Sequence, residues 1–323
     1  MELNKIIKEI GRGKNHARDI DIDSARALYR RMLAGEVPEL ELGAILIALR
    51  IKGEGEEEML GFYQAMQEQI PRLTPPAHLP VPIVIPSYNG ARRQGNLTPL
   101  LALLLSRLGF PVLVHGVSDD PTRITSEAVF QALGVSATLT AAEAQNRLNA
   151  GELVFMTIGQ LCEPMERQLA MRWRMGVRNS AHTLAKLATP FAEDAALRLA
   201  SVSHPEYIPR VGKFFSDIGG RGLLLNGTEG EVYASPQRCP SISLIQGSEP
   251  QVLLSRQEEA VFAPGELPAA KDAATTADWI LRCLNREVAV PQSLRLQIAC
   301  CYVATGRMPT LEAALREIEQ AGY

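Results

Sequence analysis

The 323-residue chain has no apolar run close to the roughly 18 residues that a membrane-crossing helix needs. Its most apolar stretch, Leu97 to Leu105, is about half that long. The opening residues Met1-Glu2-Leu3-Asn4-Lys5 lack the apolar core of a secretion signal. Five cysteines (Cys162, Cys239, Cys283, Cys300 and Cys301) include no C-x-x-C pair, and their odd number does not suit a disulfide framework. No internal repeat and no low-complexity segment is present. A formal net charge of −3 gives no global reason to expect a polyanionic partner. These absences lead to the expectation of a cytoplasmic globular protein with no membrane partner.

What is present is ordinary in amount and uneven in arrangement. Apolar residues make up 46% and charged residues 21%, enough to bury a sizeable core. The length suggests two domains, or one large domain with an appendage. The first 70 residues read as helices only. Asn4 is expected to cap a helix carrying Ile6, Ile7 and Ile10, and Ser24 a second with Leu28 and Met32 on one face. Pro38 opens a third, with Leu42, Ile45, Leu46 and Leu49 at helical spacing. Glu56, Glu57 and Glu58 stand at the positive end of a fourth.

A proline-rich stretch from Pro71 to Pro82 follows and reads as a domain boundary. Beyond it, short β-branched runs alternate with helices. Strands are expected at 81–85, 111–115, 153–158 and 222–225. Helices are expected at 98–108, 126–133, 163–174, 208–218, 274–285, 293–305 and 311–319. Alternation of this kind implies a mainly parallel sheet flanked by helices, an α/β fold.

Several segments resemble a known family. Arg30-Arg31-Met32-Leu33-Ala34-Gly35-Glu36-Val37-Pro38, continuing to Ala48-Leu49-Arg50-Ile51-Lys52-Gly53-Glu54, is similar to the N-terminal helical domain of the anthranilate phosphoribosyltransferases and the related pyrimidine nucleoside phosphorylases. Gln94-Gly95-Asn96-Leu97-Thr98 falls where the family has Asn-x-Ser-Thr, and His115-Gly116 where it has Lys-His-Gly-Asn. Arg172 to Arg178 matches its Arg-x-x-Leu-Gly-x-Arg-Thr. The resemblance implies a helical domain over 1–73, joined by helices from about 163–190, an α/β domain over 80–323, and a homodimer through the helical domain.

The family's site motifs are not retained. A phosphate loop needs glycines so that backbone N–H groups can approach phosphate oxygens. The family's Gly-Thr-Gly-Gly-Asp reads here Pro86-Ser87-Tyr88-Asn89-Gly90-Ala91-Arg92-Arg93, with one glycine and no aspartate. Val114-His115-Gly116-Val117 lacks the family's lysine and asparagine. The Asp-Glu pair that would anchor Mg²⁺ falls near Thr228-Glu229-Gly230-Glu231-Val232, where the carboxylates are no longer adjacent. Tyr88, Asn89, Gly90, Arg92, Arg93, Asn96, Thr98 and His115 are therefore expected to line a degenerate phosphate pocket, with no catalytic residue, no metal and no cofactor.

Between Met165 and Thr189 the only acid is Glu166, against Arg167, Arg172, Arg174, Arg178 and Lys186. On a continuous helix Arg167, Arg174 and Arg178 fall within about 20° of one line, unless Gly176 ends the helix. The bland reading of such a run is a solvated face. Lys5, Lys8, Arg210 and Lys213 are further basic candidates, while acids gather at Glu36 to Glu41 and Glu54 to Glu58. Long runs, among them 4–18 and 171–183, identify the chain as a member of the YbiB-like, TrpD-like subgroup outside tryptophan synthesis. That resemblance implies a partner of single-stranded or otherwise sequence-unspecified DNA or RNA, bound through the arginines. The leading expectation is thus a nucleic-acid-binding protein. The alternatives are a glycosyltransferase or phosphoribosyltransferase with a pocket rebuilt around Arg92, Arg93, Asn96 and His115, and a protein scaffold using the Glu54–Glu58 face. His115, His182 and His204 match no metal spacing and read as structural. Trp173 is expected to anchor its helix, and Cys300-Cys301 to lie in the core. Tyr88 or Trp173 could instead stack on bases.

Overall fold

A computed structural model describes residues 1–258 and 266–323. The chain divides into two compact units, one of Met1–Pro71 with Ile158–Pro190, the other of Arg72–Thr157 with Phe191–Tyr323.

The first unit is all helical: α1 (Leu3–Ile10), α2 (Ile22–Leu33), α3 (Glu39–Lys52) and α4 (Glu56–Gln67) from the start of the chain. The sheet strands β1 (Ile83–Ser87), β2 (Val112–Gly116) and β3 (Val154–Thr157), with helices α5 (Thr98–Arg107), α6 (Ser126–Ala132) and α7 (Ala141–Asn149), intervene in the chain. The first unit then resumes with α8 (Ile158–Leu161), α9 (Glu163–Met175) and α10 (Ala181–Leu184). Its core is built on Leu28, Tyr29, Met32, Ile45, Leu49, Phe62 and Met66, all buried. Gly61 lets α2 and α4 approach, since a Cβ there would stand 2.5 Å from the Ile22 carbonyl oxygen. Asp21, not Ser24, caps α2: its carboxylate accepts from the Ser24 N–H at 2.9 Å. Those Ser24 hydrogen bonds hold the Asp21 carboxyl below its usual range. Nor does Asn4 cap the first helix, which begins one residue earlier at Leu3.

The second unit adds β4 (Leu197–Val202), α11 (Ile208–Asp217), β5 (Arg221–Asn226), β6 (Ile242–Ile245) and β7 (Gln251–Leu254). It closes with α12 (Ala273–Leu284), α13 (Gln292–Ala304) and α14 (Leu311–Gln320). The seven strands form one sheet in the order β3-β2-β1-β4-β5-β6-β7. Pairings from β3 to β5 are parallel; β6 and β7 extend the sheet antiparallel. The expected α/β class with a mainly parallel sheet is what the chain adopts.

β1 runs to Ser87 rather than stopping at Ile85, although it contains Pro86. Proline cannot donate to a ladder, which usually bars it from a central strand. Here β1 pairs with β4 only at Ile83 and Val84, so the missing N–H falls where that ladder has ended. β1 and β4 lie side by side at the point where the strand order reverses, and ligands of open parallel sheets bind at such switch points. All five cysteines are buried free thiols, Cys300 and Cys301 among them.

Candidate functional site

At the carboxyl ends of β1, β2 and β5, three loops meet within the second unit. The loop after β1 turns through Gly90, whose φ is +70° and whose Cβ would stand 2.6 Å from the Ile124 carbonyl oxygen. Ala91 and Ile124 exchange backbone hydrogen bonds of 2.9 and 2.8 Å, which pins the loop. β2 approaches β1 so closely at Gly116 that a Cβ there would meet the Ser87 carbonyl oxygen at 2.0 Å. After β5, a tight turn is closed by reciprocal backbone bonds between Thr228 and Glu231, with Glu229 and Gly230 in the left-handed region.

Glu231 reaches from that turn into the loop after β1. Its side chain is 1% exposed. One carboxylate oxygen accepts from the N–H groups of Asn89 at 2.9 Å and Gly90 at 2.6 Å. The other accepts from the Ser87 hydroxyl at 2.7 Å and the Thr98 hydroxyl at 2.8 Å. Glu229 does the same one step outward, accepting from the N–H groups of Arg92 at 2.8 Å and Arg93 at 3.0 Å. Four N–H groups of one short loop thus converge on negative charge, the arrangement by which backbone binds anions. Ser126 completes the polar floor through Ser87 Oγ at 2.6 Å and Asn96 Nδ2 at 3.0 Å.

The residues expected to line the pocket are placed together here. Tyr88, Asn89, Asn96, Thr98 and His115 are buried, and Tyr88 OH lies 2.5 Å from His115 Nδ1. Asn96 and Thr98 do more than open α5: Asn96 Oδ1 accepts from the Thr98 N–H while the Thr98 hydroxyl serves Glu231. The side chains of Arg92 and Arg93 are exposed. Arg123 and Lys271 border the same loop, Arg123 donating to the Glu229 carbonyl oxygen at 3.4 Å and Lys271 to that of Arg92 at 3.0 Å. Glu229 and Glu231, the centre of the network, stand where the family's Asp-Glu pair falls and were read only as a lost metal anchor, not as candidate site residues. A further signal is the Glu-Gly-Glu spacing just past a strand, which the loss of adjacent carboxylates conceals.

The basic segment 165–189 has a different character from the one expected. α9 ends at Met175 and Gly176 takes φ +75°, so Arg178 lies beyond the helix and the aligned arginine face does not form. Nor is its charge without internal partners. Arg167 pairs with Glu163 at 3.2 Å and donates to the Leu33 carbonyl oxygen, and Arg174 pairs with Glu39 of α3 at 2.9 Å. Trp173 does not anchor the helix; it is 52% exposed, with the Arg172 guanidinium 4.4 Å above its ring. Burial, together with the charges of Arg178, Arg172 and Lys186, pushes the His182 pKa down to about 4, and its Nδ1 accepts from the Asn179 N–H. Lys186 is half-buried. Lys5 pairs with Glu2 and Lys213 with Asp217, each within one helical turn, while Lys8 lines a groove between α1 and α3 and Arg210 lies on α11.

The fold is of the nucleoside phosphorylase and phosphoribosyltransferase type. Residues 4–70 match the glycosyl transferase family helical bundle domain. The Escherichia coli (strain K12) protein YbiB is 64% identical over 321 residues, covering 99% of this chain and all of that protein. An anthranilate phosphoribosyltransferase of Saccharolobus islandicus is 28% identical over 245 residues, 73% of this chain and 66% of that enzyme. Among solved structures, anthranilate phosphoribosyltransferase from Thermus thermophilus superposes with a TM-score of 0.78 at 23% identity, covering 99% and 94% of the two chains. The Saccharomyces cerevisiae enzyme in complex with PRPP and Mg gives 0.75 at 15% identity, covering 99% and 93%. The chain belongs to the YbiB-like branch of the anthranilate phosphoribosyltransferase (TrpD) family.

These relations overturn the expectation of a nucleic-acid-binding protein. The family model and the enzymes it resembles concern glycosyl and phosphoribosyl transfer, and nothing in them points to DNA or RNA. The alternative reading, a glycosyltransferase or phosphoribosyltransferase, fits them better.

The Mg²⁺ present with one relative does not fit the residues here. Both oxygens of Glu231 already accept two hydrogen bonds each, and both oxygens of Glu229 accept one from backbone. Among the described residues no group of three or more His, Cys, Asp or Glu side chains is placed to hold a metal ion. No helix among them is long and apolar enough to cross a membrane.

Proposed function

We propose that the chain is a glycosyltransferase or phosphoribosyltransferase related to anthranilate phosphoribosyltransferase, acting on a phosphate-bearing pentosyl donor at the carboxyl ends of β1, β2 and β5. The observation that carries this reading is the loop after β1. It has lost the family's glycine pattern yet still aims four backbone N–H groups at negative charge. The exposed guanidinium groups of Arg92 and Arg93 border that loop and suit bidentate contact with a donor phosphate. Asn96, Thr98 and the Tyr88–His115 pair hold the loop in shape from behind.

Calorimetry with phosphoribosyl pyrophosphate, and separately with ribose 5-phosphate, tests this reading in the presence and absence of Mg²⁺. Saturable binding that Mg²⁺ leaves unchanged is expected, because the oxygens of Glu229 and Glu231 are engaged within the protein. Failure of both ligands to bind overturns it. Five buried thiols support a reducing, cytoplasmic setting.

Self-association through the helical unit completes the proposal. Leu40, Ile47 and Ile51 recur along one side of α3 and are 83%, 37% and 67% exposed. Sedimentation is expected to give a dimer that Leu40→Asp with Ile51→Asp converts to a monomer; a wild-type monomer would refute this.

A further inference from the structure

We infer that Glu231 is a built-in occupant of the anion cradle after β1. Its carboxylate stands in for a phosphate group, and the cradle admits free phosphate only when that carboxylate is removed.

The geometry is that of a bound anion rather than of a side chain filling space. Two successive N–H groups, of Asn89 and Gly90, hold one oxygen at 2.6–2.9 Å, and two hydroxyls, of Ser87 and Thr98, hold the other at 2.7–2.8 Å. Backbone N–H groups of a glycine turn supplemented by hydroxyls are what proteins use to hold phosphate. The four hydrogen bonds that the Glu231 carboxylate accepts all come from neutral donors, two backbone N–H groups and two hydroxyls. The neutral donors of the cradle are therefore what sustains a charge buried at the sheet's switch point.

The turn that delivers Glu231 is shaped for insertion. Gly230 takes φ +89°, and a Cβ there would stand 2.1 Å from Asn89 Nδ2, so only glycine lets the turn close against the loop. At Gly227 a Cβ would meet the Glu231 carbonyl oxygen at 1.9 Å. The Thr228 hydroxyl donates to the Tyr233 carbonyl oxygen at 2.8 Å and ties the far side of the turn. An incoming phosphate meets four donors already engaged and a carboxylate that repels it. A donor phosphate is consequently held outside the cradle, at Arg92 and Arg93.

Occupancy of the cradle can be tested apart from the transferase reading, with a probe that carries no sugar and needs no turnover. Inorganic phosphate is titrated into isotope-labelled wild-type protein and into the Glu231→Ala and Glu231→Gln variants, and the amide signals of Asn89 and Gly90 are followed. In wild type those two signals are expected to stay in place at tens of millimolar phosphate. In Glu231→Ala they should move saturably, with affinity at least about tenfold above wild type. Glu231→Gln, which removes the charge but leaves no room, should not gain phosphate. Saturable movement of both signals in wild type would overturn the inference, as would a folded Glu231→Ala that takes up no phosphate. If Glu231→Ala fails to fold, the wild-type titration decides alone: unmoved signals support the inference and moved ones refute it. Absence of sugar-phosphate binding bears on the proposed activity only.

Discussion

Among the described residues each unit buries one glutamate; both accept from backbone N–H groups, but only Glu58 also has a lysine partner. In the helical unit Glu58 is fully buried, with Lys52 Nζ at 2.7 Å and the N–H groups of Ile20 and Gly55 at 3.0 and 2.7 Å. Burial works against the Lys52 charge, but its hydrogen bonds to Asp19 and Glu58 outweigh that and raise its pKa. In the α/β unit Glu231 is as deeply buried and receives only neutral donors. The first carboxylate belongs to an ion pair that ties three helices' ends and loops together. The second sits in a place organised for anions in general. A buried charge with its own counterion is a structural device, whereas one held by backbone N–H groups and hydroxyls marks a site whose occupant can be exchanged by substitution.

Breaking the ion pair should have the largest effect. Lys52→Met leaves Glu58 buried without its counterion and should cost about 3 kcal/mol or more in urea denaturation. A loss below about 1 kcal/mol would mean that backbone donors suffice there too.

Acid separates the two regions further. The His182 pKa of about 4 in the folded chain lies below its ordinary 6.5, so the unfolded chain binds the extra proton first. The stability linked to neutral His182 is complete above roughly pH 7 and is lost as pH falls from 6.5 towards 4, by up to about 3 kcal/mol. Denaturation midpoints across that range should fall for wild type and flatten for His182→Gln. Equal slopes would contradict the assignment.

Glu231→Gln should cost about 1 kcal/mol: the amide oxygen can keep the Asn89 and Gly90 N–H groups, but the amide nitrogen then faces the Ser87 and Thr98 hydroxyls, which must turn from donating to accepting. Thermal unfolding would read it, and an unchanged midpoint would show that charge is not what the cradle holds. At the small end stands Arg174→Ala. The hydrogen bond and charge of Arg174 lower the Glu39 pKa, but both side chains are solvent-exposed, and the thermal midpoint should not move measurably.

The helices of this chain were largely legible because apolar spacing and caps are local. α3 opens after Pro38 and ends at Gly53 as its spacing implies. β4, β6 and β7 were missed: their pairing partners come from other parts of the chain, and β7 is a partly exposed edge strand. For the site, residues 87–98 and His115 could be picked out by resemblance to the family's motifs. The position of Glu231 was reached the same way, through the family's Asp-Glu pair, but its role was not, because that depends on a contact across more than a hundred residues of chain. The same limitation misled the reading of Arg174, whose partner Glu39 lies on α3. Charge segregated along a sequence need not be segregated in space.

A crystal structure grown with phosphoribosyl pyrophosphate and Mg²⁺ would test most directly whether Glu231 owns the cradle. It should retain the Glu231 carboxylate on the Asn89 and Gly90 N–H groups, with the donor's phosphates against Arg92 and Arg93. A pyrophosphate seated on those N–H groups, with Glu231 displaced or binding the metal, would contradict it.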